Sequence, residues 1–202
     1  MTYLSRLTEI IDISYKLFCN KVWDGDISII NAATMQLQLG LIIKTIGKQF
    51  EFSKDDRFEI LLETPQNVNI TTKSMTGHAR CDIKLQFYEK STLQYTAYIE
   101  LKYLKKTENE AVTDNRFSVY KDLENLEQYS IIDNNTICYE IISTDNLNYS
   151  RSETISGINI GNGVQSMKMI KYRNKTIKLD KTYTFNWDLK ENRNFAFLKI
   201  RL

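Results

Sequence analysis

Two acids and a lysine stand inside apolar runs of this chain. Asp82 lies within Cys81-Asp-Ile-Lys-Leu-Gln-Phe-Tyr88, and Glu100 and Lys102 lie within Thr96-Ala-Tyr-Ile-Glu-Leu-Lys-Tyr-Leu104. Side chains alternate along a strand, so Glu100 and Lys102 share one face while Ile99 and Leu101 share the other. Pairing the two runs as a hairpin around residues 89–92 brings Asp82 near Glu100, within a residue or two of register. Two carboxylates a few ångströms apart repel unless a cation or a proton intervenes. Oxygen-only ligands favour Mg²⁺ over zinc. A lysine beside such a site orients or deprotonates a water and stabilises charge developing on a phosphate. The same alternation also fits an ordinary hairpin whose charged residues line a solvated face and pair across strands. Spacing alone leaves both open.

The elements that must position these residues follow from hydrophobic period. Residues 3–22 carry Leu4, Leu7, Ile10, Ile11, Tyr15, Phe18 and Val22 at helical spacing, and Asp24-Gly-Asp26 ends the run. A second helix is expected from about Ser28 to Lys48, apolar enough to be well buried. The period then shifts to two, with strands at Phe50–Phe52 and Arg57–Glu63 broken by Pro65 and Asn67. Strands at about 79–89 and 93–103 carry the candidate residues. A polar loop from Lys105 to Asn115, a helix from about Asn115 to Tyr129 and a strand at Ile137–Ile142 follow. Residues 145–176, rich in Asn, Ser and Gly, read as irregular, and strands near 182–187 and 195–201 close the chain. Helices, antiparallel strands, a crossover helix and a further strand predict an α/β domain: a mixed central sheet flanked by helices.

Bulk properties narrow the chemistry. A chain of 202 residues fits one domain with a real core, here an N-terminal helix over 1–26 and a core over 27–202. The formal charge of +2 advertises no global field for nucleic acid or membrane, although a basic groove can hide in a neutral total. No apolar run approaches the roughly 20 residues of a membrane span, and the first residues lack the pattern of a signal peptide. Three separated cysteines, Cys19, Cys81 and Cys138, predict reduced core thiols in a cytoplasmic protein. With a single histidine, His-based triads and His-rich metal sites are almost excluded, so the chemistry falls to carboxylates and lysines.

Asp82 followed by Glu100-Leu101-Lys102, set in apolar strands, resembles the PD-(D/E)xK nuclease superfamily, which has the restriction-endonuclease-like fold. The run Asn115–Tyr129 looks like the helix after the E-x-K strand of such proteins. Ile141–Asn146 looks like their next strand, and Tyr183–Trp187 and Phe197–Ile200 look like their closing strands. The resemblance covers most of the chain after about residue 27. It implies that Asp82, Glu100 and the backbone carbonyl of Leu101 hold Mg²⁺, with Mn²⁺ as a substitute, and that Lys102 serves the attacking water. The implied activity is a metal-dependent endonuclease acting on double-stranded DNA, in bacterial restriction or another anti-phage role, as a homodimer by analogy. Cys81 stands where the family name has Pro. A second departure matters more: the family's buried helix often adds an acid, and the matching segment Asn31-Ala-Ala-Thr-Met-Gln36 has Ala32 in its place.

Other polar residues carry two interpretations each. His78 and Arg80 precede Asp82 on its face, as phosphate contacts or as strand-edge polar residues. Glu63 is an extra ligand or a solvated strand end, and Gln36 a buried hydrogen-bonder or a site residue. Arg116 and Lys121 reach a DNA backbone or line an exposed helix face. Lys168, Lys171 and Arg173 belong to the most basic stretch, which continues through Lys175, Lys178 and Lys181. It is a DNA-contact arm, since lysines supply salt-sensitive phosphate affinity, or a solvated hairpin.

Overall fold

The structure is a computed structural model that describes residues 1–66, 79–105, 109–132, 134–154 and 157–202. Helix α1 (Tyr3–Trp23) and helix α2 (Ala32–Lys48) come first. Asn31 sets the start of α2, its side-chain oxygen accepting from the Thr34 N–H at 2.8 Å. That places the start a few residues later than hydrophobicity alone suggests.

Strands β1 (Asp56–Gln66), β2 (Ala79–Glu89) and β3 (Thr92–Leu104) follow, then the long helix α3 (Asn109–Ile132) and strand β4 (Thr136–Thr144). The expected strand at Phe50–Phe52 is not formed: a turn ends at Phe50, and residues 51–52 are irregular. Asp56 accepts from the Phe52 and Ser53 N–H groups at 2.9 and 3.1 Å, and Glu51 accepts from the Phe58 N–H at 2.6 Å. Side-chain acceptors of this kind compete with the ladder for backbone donors. The expected loop from Lys105 to Asn115 is helical from Asn109 onward, which lengthens α3. His78 lies outside the described residues, as do Asn67 and residues 106–108 of that loop.

The main sheet has six strands in the order β1-β2-β3-β4, then β10 (Ala196–Arg201) and β9 (Trp187–Leu189). Only the β3–β4 pair among them is parallel, as a crossover through α3 requires. One face is covered by α1 and α2, where Leu7, Ile10, Phe18, Met35, Leu39 and Ile43 pack on Ile83, Leu85, Ala97, Ile99 and Ile141. Gly47 lets α2 close on β1: a Cβ there would collide with the Phe58 ring.

The other face carries α3. The described residues of 147–187, expected to be irregular as far as 176 and a strand near 182–187, lie over the far side of that helix and form a second core through Ile158, Ile160, Ile170, Ile177, Phe185 and Trp187. They include short strands: β5 (Val164–Gln165) pairs with β8 (Thr184–Phe185), and β6 (Met169–Tyr172) pairs with β7 (Lys175–Lys178). With protein on two sides, α3 buries polar as well as apolar residues, among them Arg116, Asp122, Asn125 and Glu127. Among the described residues, no helix is long and apolar enough to cross a membrane.

Candidate functional site

The register of the sheet pairs Glu100 with Glu140 and carries Asp82 and Glu63 on the next two strands. Ile83 of β2, the residue after Asp82, pairs with Ile99 of β3, the residue before Glu100. Glu100 is paired in turn with Glu140 of β4. On the outer side, Leu62 pairs with Ile83 and Thr64 with Cys81, which sets Glu63 beside Asp82. Positions in register share a face of the sheet. The Lys84 ammonium 5.4 Å over the Tyr98 ring shows the same for the neighbouring rung. Glu100 and Glu140 therefore share a face of the sheet with Tyr98, which stacks on Tyr129 of α3, and Lys102 lies on that face two residues beyond Glu100.

Burial differs among these acids. Glu100 and Glu140 are buried, at 1% and 0% exposure, Asp82 is half-buried and Glu63 is exposed. The Leu101 N–H donates to Asp82 Oδ2 at 2.7 Å. That bond sets the Asp82 carboxylate against the β3 backbone at Leu101, the residue whose carbonyl belongs to the expected ligand set. Lys102 forms an ion pair with Asp122 of α3, and both side chains are largely buried. The helix thus reaches the site with a carboxylate of its own.

From the opposite layer α2 contributes an amide. Gln36 Nε2 donates to the Asp82 carbonyl at 2.7 Å and to Glu63 Oε1 at 3.0 Å. Ala32 is exposed at the first residue of α2, one turn before Gln36. Glu63 holds a left-handed backbone (φ 50°) in the middle of strand pairing, a conformation that costs a non-glycine residue about 1–3 kcal/mol.

The residues expected to contact DNA divide. Arg116 is fully buried, which corrects its assignment to an outward helix face. Its guanidinium donates to the carbonyls of Glu153, Ile158 (3.0 Å) and Asn148 (3.5 Å), so it fastens the 148–158 segment to α3. Burial pulls its pKa below the ordinary guanidinium value. Arg80 is exposed two residues before Asp82, and Lys121 is half-buried on α3. Lys168, Lys171 and Arg173 are exposed on or beside the β6–β7 hairpin, with Arg173 3.3 Å from Asp114.

Sequence reasoning missed Asp122, Glu140 and Tyr129. Glu140 carried a usable signal, an acid alone within Ile137-Cys-Tyr-Glu-Ile-Ile142, the same pattern that marks Asp82 and Glu100. Asp122 carried none, because an acid on a helix is ordinarily solvated.

Whether these residues suit a divalent ion is a question of donor chemistry. Among the described residues no group of three or more His, Cys, Asp or Glu side chains is arranged to hold a metal. Two carboxylates and a backbone carbonyl form a different, all-oxygen set, which suits Mg²⁺ or Mn²⁺. Asp82, held at Leu101, and Glu100, the residue before Leu101 on β3, fit that set. Comparison with protein-family models, with curated proteins and with solved structures finds no match for this chain.

Proposed function

We propose that this chain is a Mg²⁺-dependent endonuclease of the PD-(D/E)xK kind, with a restriction-endonuclease-like core, hydrolysing phosphodiesters of double-stranded DNA. A restriction or anti-phage role in a bacterial cytoplasm follows from the same resemblance, and cutting both strands would call for a pair of copies. The observation that carries the proposal is the Ile83–Ile99 pair, which brings Asp82 and Glu100 to neighbouring positions on adjacent strands, with Lys102 on the face of Glu100. The chain order supports it: a helix, three antiparallel strands, a crossover helix and a parallel strand, with the acids on the second and third strands.

Asp82, Glu100 and the Leu101 carbonyl would hold the ion, which when bound supplies a Lewis acid for the phosphate and an acidified water. Lys102 brings positive charge to the same face, where it orients the attacking water and stabilises charge developing on phosphate oxygens. Asp122 holds the Lys102 ammonium from α3, and Gln36 fixes the β2 backbone at Asp82.

A second reading, a nuclease-fold protein that binds nucleic acid or a protein partner without cutting, is favoured by two observations. The start of α2 offers Ala32 where an acid is expected, and the Lys102 ammonium is already engaged by Asp122. Plasmid and phage DNA incubated with Mg²⁺, Mn²⁺ or EDTA, beside the Lys102→Ala variant, separate the two. Metal-dependent cutting lost in the variant supports the nuclease, and retarded migration without cutting supports the binding protein. If Ala32→Glu gains neither metal affinity nor cutting, Ala32 is not the limiting departure.

A further inference from the structure

Tyr129 of α3 is fully buried, and its hydroxyl has no hydrogen-bond partner among the described residues. Buried hydroxyls nearly always have a partner, so an exception calls for an explanation. The ring stacks on Tyr98 at 5.0 Å between centroids, and Tyr98 precedes Glu100 by two residues on the same face of β3. Seven residues earlier on α3, Asp122 pairs with Lys102, two residues beyond Glu100. These two contacts lay the helix along the strand with Glu100 between them. Side chains on a helix lean toward its N-terminus, which carries the Tyr129 hydroxyl from the level of Tyr98 toward Glu100. In agreement, its pKa is raised by burial first, then by the negative charge of Glu100, with Asp82 and Asp122 adding to it.

We propose that the Tyr129 hydroxyl is a hydrogen-bond donor of the divalent-ion site, serving an oxygen of the hydrated ion held at Asp82 and Glu100. The inference rests on the metal-dependent reading above and adds a residue from α3 to it. A tyrosine suits this place because it donates one hydrogen bond without adding charge to a site already rich in carboxylates. Tyr98 and the apolar cluster of Cys81, Leu126 and Cys138 hold the ring, so the hydroxyl is presented with little freedom to lose on binding.

The test is Tyr129→Phe, which keeps the stacked ring and removes the oxygen alone. In EDTA the variant melts at or above the wild-type temperature, because an unpartnered buried hydroxyl contributes nothing to the fold. In calorimetric titration with Mn²⁺, with Asp82→Asn identifying the isotherm of this site, Tyr129→Phe binds about 2- to 10-fold more weakly, the range of one neutral hydrogen bond. Unchanged Mn²⁺ affinity overturns the role of Tyr129 alone, and so does a lower melting temperature in EDTA, which would give the hydroxyl to the fold. Absence of Mn²⁺ binding by the wild-type protein overturns the metal-dependent reading together with it.

Discussion

Glu127 and Glu100 are both acids buried between the sheet and α3 or beneath the segment that covers α3, and the neighbours that position them differ. Glu127 accepts from the Asp180 N–H at 2.8 Å, the Lys181 N–H at 3.0 Å and the Tyr183 hydroxyl at 2.7 Å. Glu100 is paired with Glu140 of β4, and the residue after it, Leu101, donates its N–H to the Asp82 carboxylate. A carboxylate bedded in donors is held as a charge and stabilises the structure around it. A carboxylate set beside another adds repulsion that a cation or proton relieves. Burial alone therefore does not tell a structural acid from a functional one; the sign of the neighbours does.

Substituting each acid sharpens that contrast. Glu127→Ala strands three donors beneath the 180–183 segment and costs about 3 kcal/mol, a fall of roughly 6–12 °C in melting temperature for a chain of this size. Thermal unfolding of the purified variant measures it. A shift under a few degrees would place Glu127 among the dispensable charges.

The cations divide in the same way. Arg116 is consumed inside by carbonyls, whereas Lys168, Lys171, Arg173, Lys175, Lys178 and Lys181 stand exposed within a stretch whose single acid is Asp180. Ile170 and Ile177 anchor that hairpin, Tyr172 packs on Phe117 at 5.3 Å, and the Lys178 N–H donates to Glu124 of α3 at 3.0 Å. Reversing Lys171 and Lys178 to Glu leaves the melting temperature unchanged. It weakens duplex DNA binding by about tenfold at 0.1 M salt and lowers the salt slope by about 2. Fluorescence anisotropy across a salt series reads both, and an unchanged slope removes the hairpin from the DNA-binding surface.

Smaller still is the effect expected at the rung. Glu140→Gln removes one of two adjacent buried carboxyl groups, so in metal-free buffer the variant is within about 1 kcal/mol of wild type or more stable. Urea unfolding in EDTA checks the sign against Glu127→Ala. A loss of similar size at both positions would erase the distinction between them.

The α/β layering and the approximate positions of α1, α2 and β2–β4 are legible because each depends on period and local pairing. What stayed hidden depends on distant chain. Arg116 has the composition of a surface helix, and only the segment arriving from residues 148–158 turns its position into an interior one. The Asn/Ser/Gly-rich stretch reads as loose. Yet Tyr120 donates to the Asn159 carbonyl at 2.9 Å and Trp187 Nε1 to the Ile160 carbonyl at 2.6 Å, bonds that composition cannot foretell. At the site, the sequence marks Ala32 as a missing acid, while the group that α2 delivers is Gln36, one turn later.

Cys138 offers the finest probe of the rung, two residues before Glu140 on the same face of β4. Burial, and then the negative charge of Glu100, push its thiol up to about 12. The folded protein therefore keeps this proton at pH values where the unfolded chain has released it. Stability from the thiol is complete below its ordinary value of 9.0 and is lost as pH rises from there toward about 12. Within that window the loss reaches at most about 1.4 kcal/mol per pH unit for a single group. Urea midpoints at pH 8, 9, 10 and 10.5 for wild type and Cys138→Ala should show a shallower alkaline decline in the variant, after its constant cavity cost is subtracted. Glu100→Gln should flatten the same limb more weakly, since it removes the second cause and leaves burial in place. Parallel limbs for Glu100→Gln and wild type would mean that the charge at Glu100 does not reach Cys138, and that the rung is neutral where the thiol senses it.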